Sequence, residues 1–443
     1  MGLAKEDIQK KKIGIERFGL ESIPEHLRNT SWLEYAVIQI AISVNAGNFL
    51  VPATAVLEGG LSFFWAVVST VIGAAAAFLF VSFLSIPGAK QGIPSQYAIR
   101  LFVGVKGARY FASPVRTITS LYWFAVQTIG GAYIVIELAE RLFNKSLSFT
   151  ATALVLATVM AGLALVGFNA VKRITRYFLP VLLLGGIAMI AIYIRQPING
   201  NSFAEVIQVD SRPSISTMSF FASLAFVQYV SGVSSASDMA RYAKTARQGF
   251  IGLYAGNVIG FLITSILGAY TAAAAQHWNP FLITSRETES AILLFFIFTA
   301  AIASMITINI SNAYTGGYSL LNTFPILGRV KSAILLGVFA VLLSTVPSLV
   351  NEARSFITLL GGFIIPLSAI IATDFIVIKK CRFYHEDLAL LNENNWSYNT
   401  RGFCSLALGT VVYFFLPDSY SPGFLTFVLT GVIYYFCHTK RGQ

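Results

Sequence analysis

Four stretches of this chain set polar side chains among almost wholly apolar neighbours. Asn45, Gly47 and Asn48 interrupt YAVIQIAISVNAGNFLVPATAV, and Trp123 and Gln127 lie in SLYWFAVQTIGGAY. Gln228, Tyr229, Ser231, Gly232, Ser234 and Ser235 fall together in FFASLAFVQYVSGVSSASDMARYAK. Ser304, Thr307, Asn309, Ser311, Asn312 and Thr315 crowd SMITINISNAYTGGYSL. Amides both donate and accept, aromatic rings offer flat faces, and hydroxyl or carbonyl oxygens suit a small hard cation. These are tools of recognition. No nucleophile stands with a base, His26, His277, His385 and His438 are scattered, and Cys381, Cys404 and Cys437 lack metal-ligand spacing. There is no phosphate-cradling GKS or GKT loop, so neither an enzyme nor an ATP-driven pump is expected.

Spacing sharpens the reading. Trp123 and Gln127 are four apart and share a helix face, so the indole either pairs with that amide or both serve a flat polar ring. Ser304, Thr307, Ser311 and Thr315 recur at three and four residues along one face, where hydroxyls bond back to their own helix or hold a cation. Gly and Asn are weak helix formers, so unwound turns are expected at Asn45–Asn48 and Ser231–Ser235. The freed carbonyls and amides are tolerable at membrane depth only beside a cavity or ligand; the competing role for small residues is close helix packing. Asp238 and Arg241, three apart, can pair at a helix end. Asp374 in IIATDF reads as structural or gating.

The elements that position these residues follow from composition. Of 443 residues, 56% are hydrophobic and 12% charged, about half the charge of a soluble domain. The expected fold is an all-α integral membrane protein with spans near 33–57, 61–86, 116–138, 148–168, 173–194, 216–236, 249–274, 289–321, 329–349, 354–378, 402–417 and 422–438. The first 30 residues lack the apolar core of a signal peptide. The net charge of +11 reflects cytoplasmic loops rather than nucleic-acid binding. With both termini cytoplasmic, only Arg141, Lys145, Arg195, Arg212, Arg286 and Arg354 of the 31 Lys+Arg fall outside. Residues 87–116 suggest an amphipathic re-entrant or surface helix, and 379–401 a cytoplasmic connector. The two interruptions lie five spans apart, an odd number, so their helices run in opposite directions. That is the arrangement of two inverted five-helix repeats, 33–195 and 216–378, after an N-terminal segment 1–32 and before two further helices in 402–443.

Together the motifs resemble the nucleobase–cation symporter-1 family. IERFGLESIPEHLRNTSWLEY resembles its amphipathic N-terminus and GAKQGIPSQYAIRLFVGVKGA its loop after the second span. TSLYWFAVQTIGG is similar to its third span, SASDMARYAK to the end of its sixth, TINISNAYTGGYSLLNTF to its eighth and IIATDF to its tenth. The resemblance runs through nearly the whole chain in order. It implies a LeuT-like fold of ten core helices plus two, and uptake of a nucleobase-like ring coupled to Na⁺ or H⁺ without a cofactor, nucleic acid or obligatory protein partner. The location implied is the cell membrane. By resemblance Trp123 and Tyr229 sandwich the ring, Asn309 and Gln127 bond it, and Asn45, Gly47, Ser231 and Asn312 complete the pocket. Val44, Ala303, Ser304 and Thr307 fall where the family holds Na⁺. Two departures rearrange the bonding edge: Ser120 stands where cytosine permeases have Gln, and Gln228 where they have Ser. Cytosine, purines, uracil, hydroxymethylpyrimidine or thiamine-like compounds and hydantoins all remain open. The alternatives are an amino-acid or osmolyte symporter of the same fold, disfavoured by the lack of a mid-membrane carboxylate, and a membrane receptor that binds without moving its ligand.

Overall fold

The computed structural model describes residues 20–165, 168–209, 213–383, 387 and 397–439. The basic stretch before residue 20, the middle of the 379–401 connector and the last four residues lie outside the described residues. The described chain is helical, apart from two isolated bridges. Its main helices are α1 (Trp32–Ser43), α2 (Leu50–Leu57), α3 (Phe63–Phe83), α4 (Ile86–Gln91), α5 (Ser95–Val103), α6 (Ser113–Phe143), α7 (Phe149–Ala164) and α8 (Phe168–Arg195). They continue as α9 (Ile215–Val230), α10 (Ala236–Ala240), α11 (Ala246–Ala275), α12 (Pro280–Arg286), α13 (Ala291–Thr323), α14 (Gly328–Leu343), α15 (Ala353–Ala372), α16 (Thr400–Phe415) and α17 (Pro422–Thr439).

Seven helices among the described residues are long and apolar enough to cross a membrane, or eight when the bent pair α1/α2 counts as one. The shortfall from twelve has a physical cause. The sixth expected span is divided into α9, a 3₁₀ turn at Ser231–Ser234 and α10. At about 1.5 Å per residue, helices as short as α7, α16 and α17 fall under the roughly 30 Å of a hydrocarbon core. Large apolar side chains such as Ile72, Val155, Ile187, Phe295 and Val338 stand exposed on the outside. A soluble monomer rarely tolerates that much contiguous apolar surface; lipid does.

Packing sorts the helices into sets. α3 packs on α9 and α11, and α1 bridges from α11 to α8 and α13; α6, α7, α8, α13 and α14 form a second set; α15, α16 and α17 form a third. α3 comes close to α9 at Gly73, where a Cβ would overlap the backbone carbonyl of Ala222. Small residues let two backbones meet in this way when no hydrophobic effect drives helices together. Asp374 joins α15 to the last helix: its Oδ2 accepts from the Tyr434 hydroxyl, which itself accepts from Asn399 Nδ2 at 2.8 Å.

Residues 87–116 are not a surface helix. Eight of the nine residues of α5 are buried, because its polar groups find partners inside: Gln96 donates to Ser234 O (2.9 Å) and accepts from Ser113 Oγ (2.8 Å), and Arg100 Nε donates to Asn322 Oδ1 (3.2 Å). α12 was not expected at all. It is seven residues, too short for a periodic signal, but Asn279 caps the Phe281 and Leu282 N–H groups and Pro280 opens it.

Candidate functional site

A capping box starts α1: the Ser31 hydroxyl accepts from Glu34 N–H, and Glu34 Oε2 accepts from Ser31 N–H at 2.9 Å. The helix ends at Ser43, Asn45 is fully extended (φ −150°, ψ 164°), and the chain resumes at 71° to its first direction. The break repairs itself. Asn45 Oδ1 caps Asn48 N–H (2.9 Å) and its Nδ2 reaches Ile42 O; Asn48 Nδ2 donates to Ser43 O at 2.8 Å, as does Thr264 Oγ1. The Ile42 and Ser43 carbonyls at the break are therefore claimed by the chain rather than left for a ligand.

Gln127 on α6 belongs to the same device. Its Oε1 accepts from Gly47 N–H at 3.0 Å and its Nε2 donates to Asn45 Oδ1. The amide thus grips the broken turn of the first span rather than the Trp123 indole. Gly47 permits this: a Cβ there would collide with the Gln127 amide.

Residues of both breaks line one cavity of about 150 Å³. Of the residues expected at a binding site, Trp123, Gln127, Gln228, Tyr229, Ser231 and Asn312 line it. The Trp123 ring stands edge-on to Tyr122 at 5.0 Å. Tyr229 is fixed between Phe78 (4.7 Å) and Phe261 (4.8 Å), and its hydroxyl has no partner. Gln228 Nε2 donates to Asn48 Oδ1 at 3.2 Å, which leaves Gln228 Oε1 buried and unpartnered. Unmet acceptors and hydroxyls of this sort are costly until a ligand pairs them.

The other expected residues stand behind the wall. Asn45 and Gly47 form the break itself, and Ser120 Oγ lies 3.5 Å from Thr315 Oγ1. Asn309 is fully buried: its Nδ2 donates to Phe124 O (3.1 Å), Thr128 Oγ1 (3.0 Å) and Met160 Sδ (3.4 Å), tying α13 to α6 and α7, while its Oδ1 accepts from Asn312 Nδ2 at 3.4 Å. Asn312, three residues on, presents the cavity face. Further polar lining residues were not among the expected binding residues, Gln39, Asn48, Arg116, Asn257 and Thr315 among them. By its charge Arg116 reads as the last residue of the 87–116 segment, yet it is seven residues before Trp123 and so on the same helix face.

Val44 and Ala303 pack into one cluster between α1 and α13. Ser304 Oγ donates to Ala301 O (2.8 Å) and Thr307 Oγ1 to Ala303 O (2.7 Å). Such back-bonding spends the hydroxyl proton and leaves oxygen lone pairs, the polarity a cation needs. Among the described residues no group of three His, Cys, Asp or Glu could hold a metal ion.

A multi-helix membrane protein with a ring-sized, aromatic and amide-lined cavity between two broken helices has the architecture of a permease. Residues 22–437 match the family described as permease for cytosine/purines, uracil, thiamine, allantoin, and the chain belongs to that family. The hydantoin permease of Microbacterium maritypicum is 22% identical over 81% of this chain and 73% of its own length. The purine-uracil permease NCS1 of Arabidopsis thaliana is 24% identical over 90% and 69%. Among solved structures, Mhp1, a nucleobase-cation-symport-1 family transporter in a closed conformation with bromovinylhydantoin bound, aligns with a TM-score of 0.80 at 19% identity, covering 95% of this chain and 93% of that one. A Na⁺-coupled sialic acid symporter aligns at 0.62 and 12% identity, over 93% and 91%. At these identities the likeness concerns the fold, which is LeuT-like.

Proposed function

We propose that the chain moves a flat nitrogen heterocycle together with Na⁺ or H⁺ by alternating access. The observation that carries this is the cavity: about 150 Å³, the size that accepts a single six-membered ring, bounded by residues of both breaks. In this reading Trp123 and Tyr229 supply faces, while Gln228 and Asn312 supply an edge that accepts and donates, as lactam and amidine groups require. Burial makes such amides discriminating, because a ring that leaves them unpaired is rejected. Gln127, Asn45 and Gly47 hold the turn beneath, Ser231 marks the second break, and Asn309 and Ser120 act through Asn312 and Thr315. Ser304 and Thr307, with backbone at Val44 and Ala303, are the cation ligands.

The same reading assigns twelve crossings: the eight apolar spans, α7, α16, α17 and the broken α9/α10 helix. It divides the core into inverted repeats 33–195 and 216–378, with 1–32 and the connector 379–401 on the cytoplasmic side, 402–443 as the added pair, and the cell membrane as location. Support comes from the odd spacing of the breaks and from the packing of α3 of the first repeat against α9 and α11 of the second.

A ligand that binds the folded state raises apparent stability. Detergent-purified protein should therefore gain several degrees of Tm with one class among nucleobases, hydantoins and thiamine precursors, more so with Na⁺ present if Na⁺ is the coupling ion. Proteoliposomes should accumulate that compound against its gradient. Binding without accumulation would favour a receptor, and a response to amino acids alone would sink the heterocycle reading.

A further inference from the structure

We propose that Arg116 makes the cavity selective for rings that are anionic or carry a carboxylate, so that the transported heterocycle binds with its negative edge on the guanidinium. The inference rests on the heterocycle reading of the same cavity. Arg116 lines the cavity and is only 8% exposed. Its Nη2 donates to Thr315 Oγ1 at 3.0 Å and its Nη1, weakly, to Ser231 O at 3.4 Å; its Nε–H has no acceptor. A guanidinium offers five N–H donors in a planar fork and stays charged, so most of its capacity is unmatched.

Its charge is also poorly compensated. Among the described residues no carboxylate forms an ion pair with Arg116. Asp238 lies within electrostatic range, but Arg241 and Arg329 share it, and its Oδ1 accepts from Ser95 N–H at 2.7 Å. Three cations therefore face one acid. The other two rest on aromatic rings, Arg241 over Tyr318 at 5.4 Å and Arg329 over Tyr318 at 4.2 Å and Tyr314 at 5.3 Å; among the described residues Arg116 has no such ring. A buried cation without an ion-pair partner is costly, and a ring that supplies an anionic oxygen meets the guanidinium in a charge-assisted hydrogen bond. The neutral amides of Gln228 and Asn312 remain for the other edge.

The test uses two six-membered rings of nearly the same outline: uracil, neutral at pH 7, and barbituric acid, ionised at pH 7. Titration calorimetry on the full-length protein should show barbiturate binding more tightly than uracil, with its affinity falling as acid protonates the ring. Arg116→Gln should weaken barbiturate by roughly ten- to a hundred-fold, the range for a hydrogen bond to a charged group, and uracil by less than about three-fold. Arg116→Lys keeps the charge without the fork and should retain the preference for the anion at reduced strength, which covers the case in which the Gln variant does not fold. Equal losses for both rings, or no anion preference in the unaltered protein, would make Arg116 merely a tie between α6, α13 and the second break and overturn the inference while leaving the heterocycle reading intact. If neither these rings nor cytosine, purine, hydantoin or allantoin binds the unaltered protein, the underlying reading fails instead.

Discussion

Trp123→Ala is expected to lower heterocycle affinity by roughly ten- to a hundred-fold, because stacking a base on an aromatic ring is worth about 1–3 kcal/mol. The fold should survive the change: the Trp123 side chain is only partly buried and packs edge-on to Tyr122, so the space it leaves opens onto an existing cavity rather than creating a sealed one. Asn309→Ala should behave in the opposite way. Its amide joins Phe124 O, Thr128 Oγ1 and Asn312 Nδ2 with no exposure to the cavity, so its loss strands buried polar groups at about 1–3 kcal/mol. Tm should fall markedly, and affinity should fall only as far as Asn312 loses its setting. Measuring Tm without ligand and Kd by calorimetry on both variants separates the two. A Trp123→Ala protein that binds normally would remove the ring from this wall of the cavity.

Gln127→Ala is expected to abolish transport at a cost of about 1–3 kcal/mol in stability, since it leaves the Gly47 N–H unsatisfied in a buried place and removes a donor from Asn45 Oδ1. The broken turn would then lack the tie that relates it to α6. The contact can be approached from its other side. Gly47→Ala drives a Cβ into the Gln127 amide and should be damaging alone, yet clearly less so when Gln127→Ala has already vacated that space, leaving only the tight contact with Val126. Residues in contact show such non-additivity, whereas independent sites simply add. A thermal-melt cycle over the two single variants and the double variant measures the coupling; additive losses would mean that the amide and the glycine do not meet.

Some of this protein was legible from residue order alone. A glycine between two asparagines inside an apolar run is a statement about local propensity, and the chain breaks there, at 71°. Low charge and high apolar content are likewise properties that no packing alters, so the membrane class was readable at once. What residue order could not set was the rotation of each helix about its axis. Asn309 and Asn312 are three apart on α13; one is sealed against α6 and the other opens on the cavity, because the packing of α13 on α6 and α8 decides which stripe faces where. Gln127 reads as a ligand group and is largely engaged with the broken turn, because the donor and the acceptor that occupy it lie 80 and 82 residues away. Arg116 looked like loop charge and lines the cavity, because a buried surface at the start of α6 encloses it. Local propensity and composition act residue by residue and are written in the sequence; the facing of a side chain depends on contacts between distant segments, which exist only once the helices have packed.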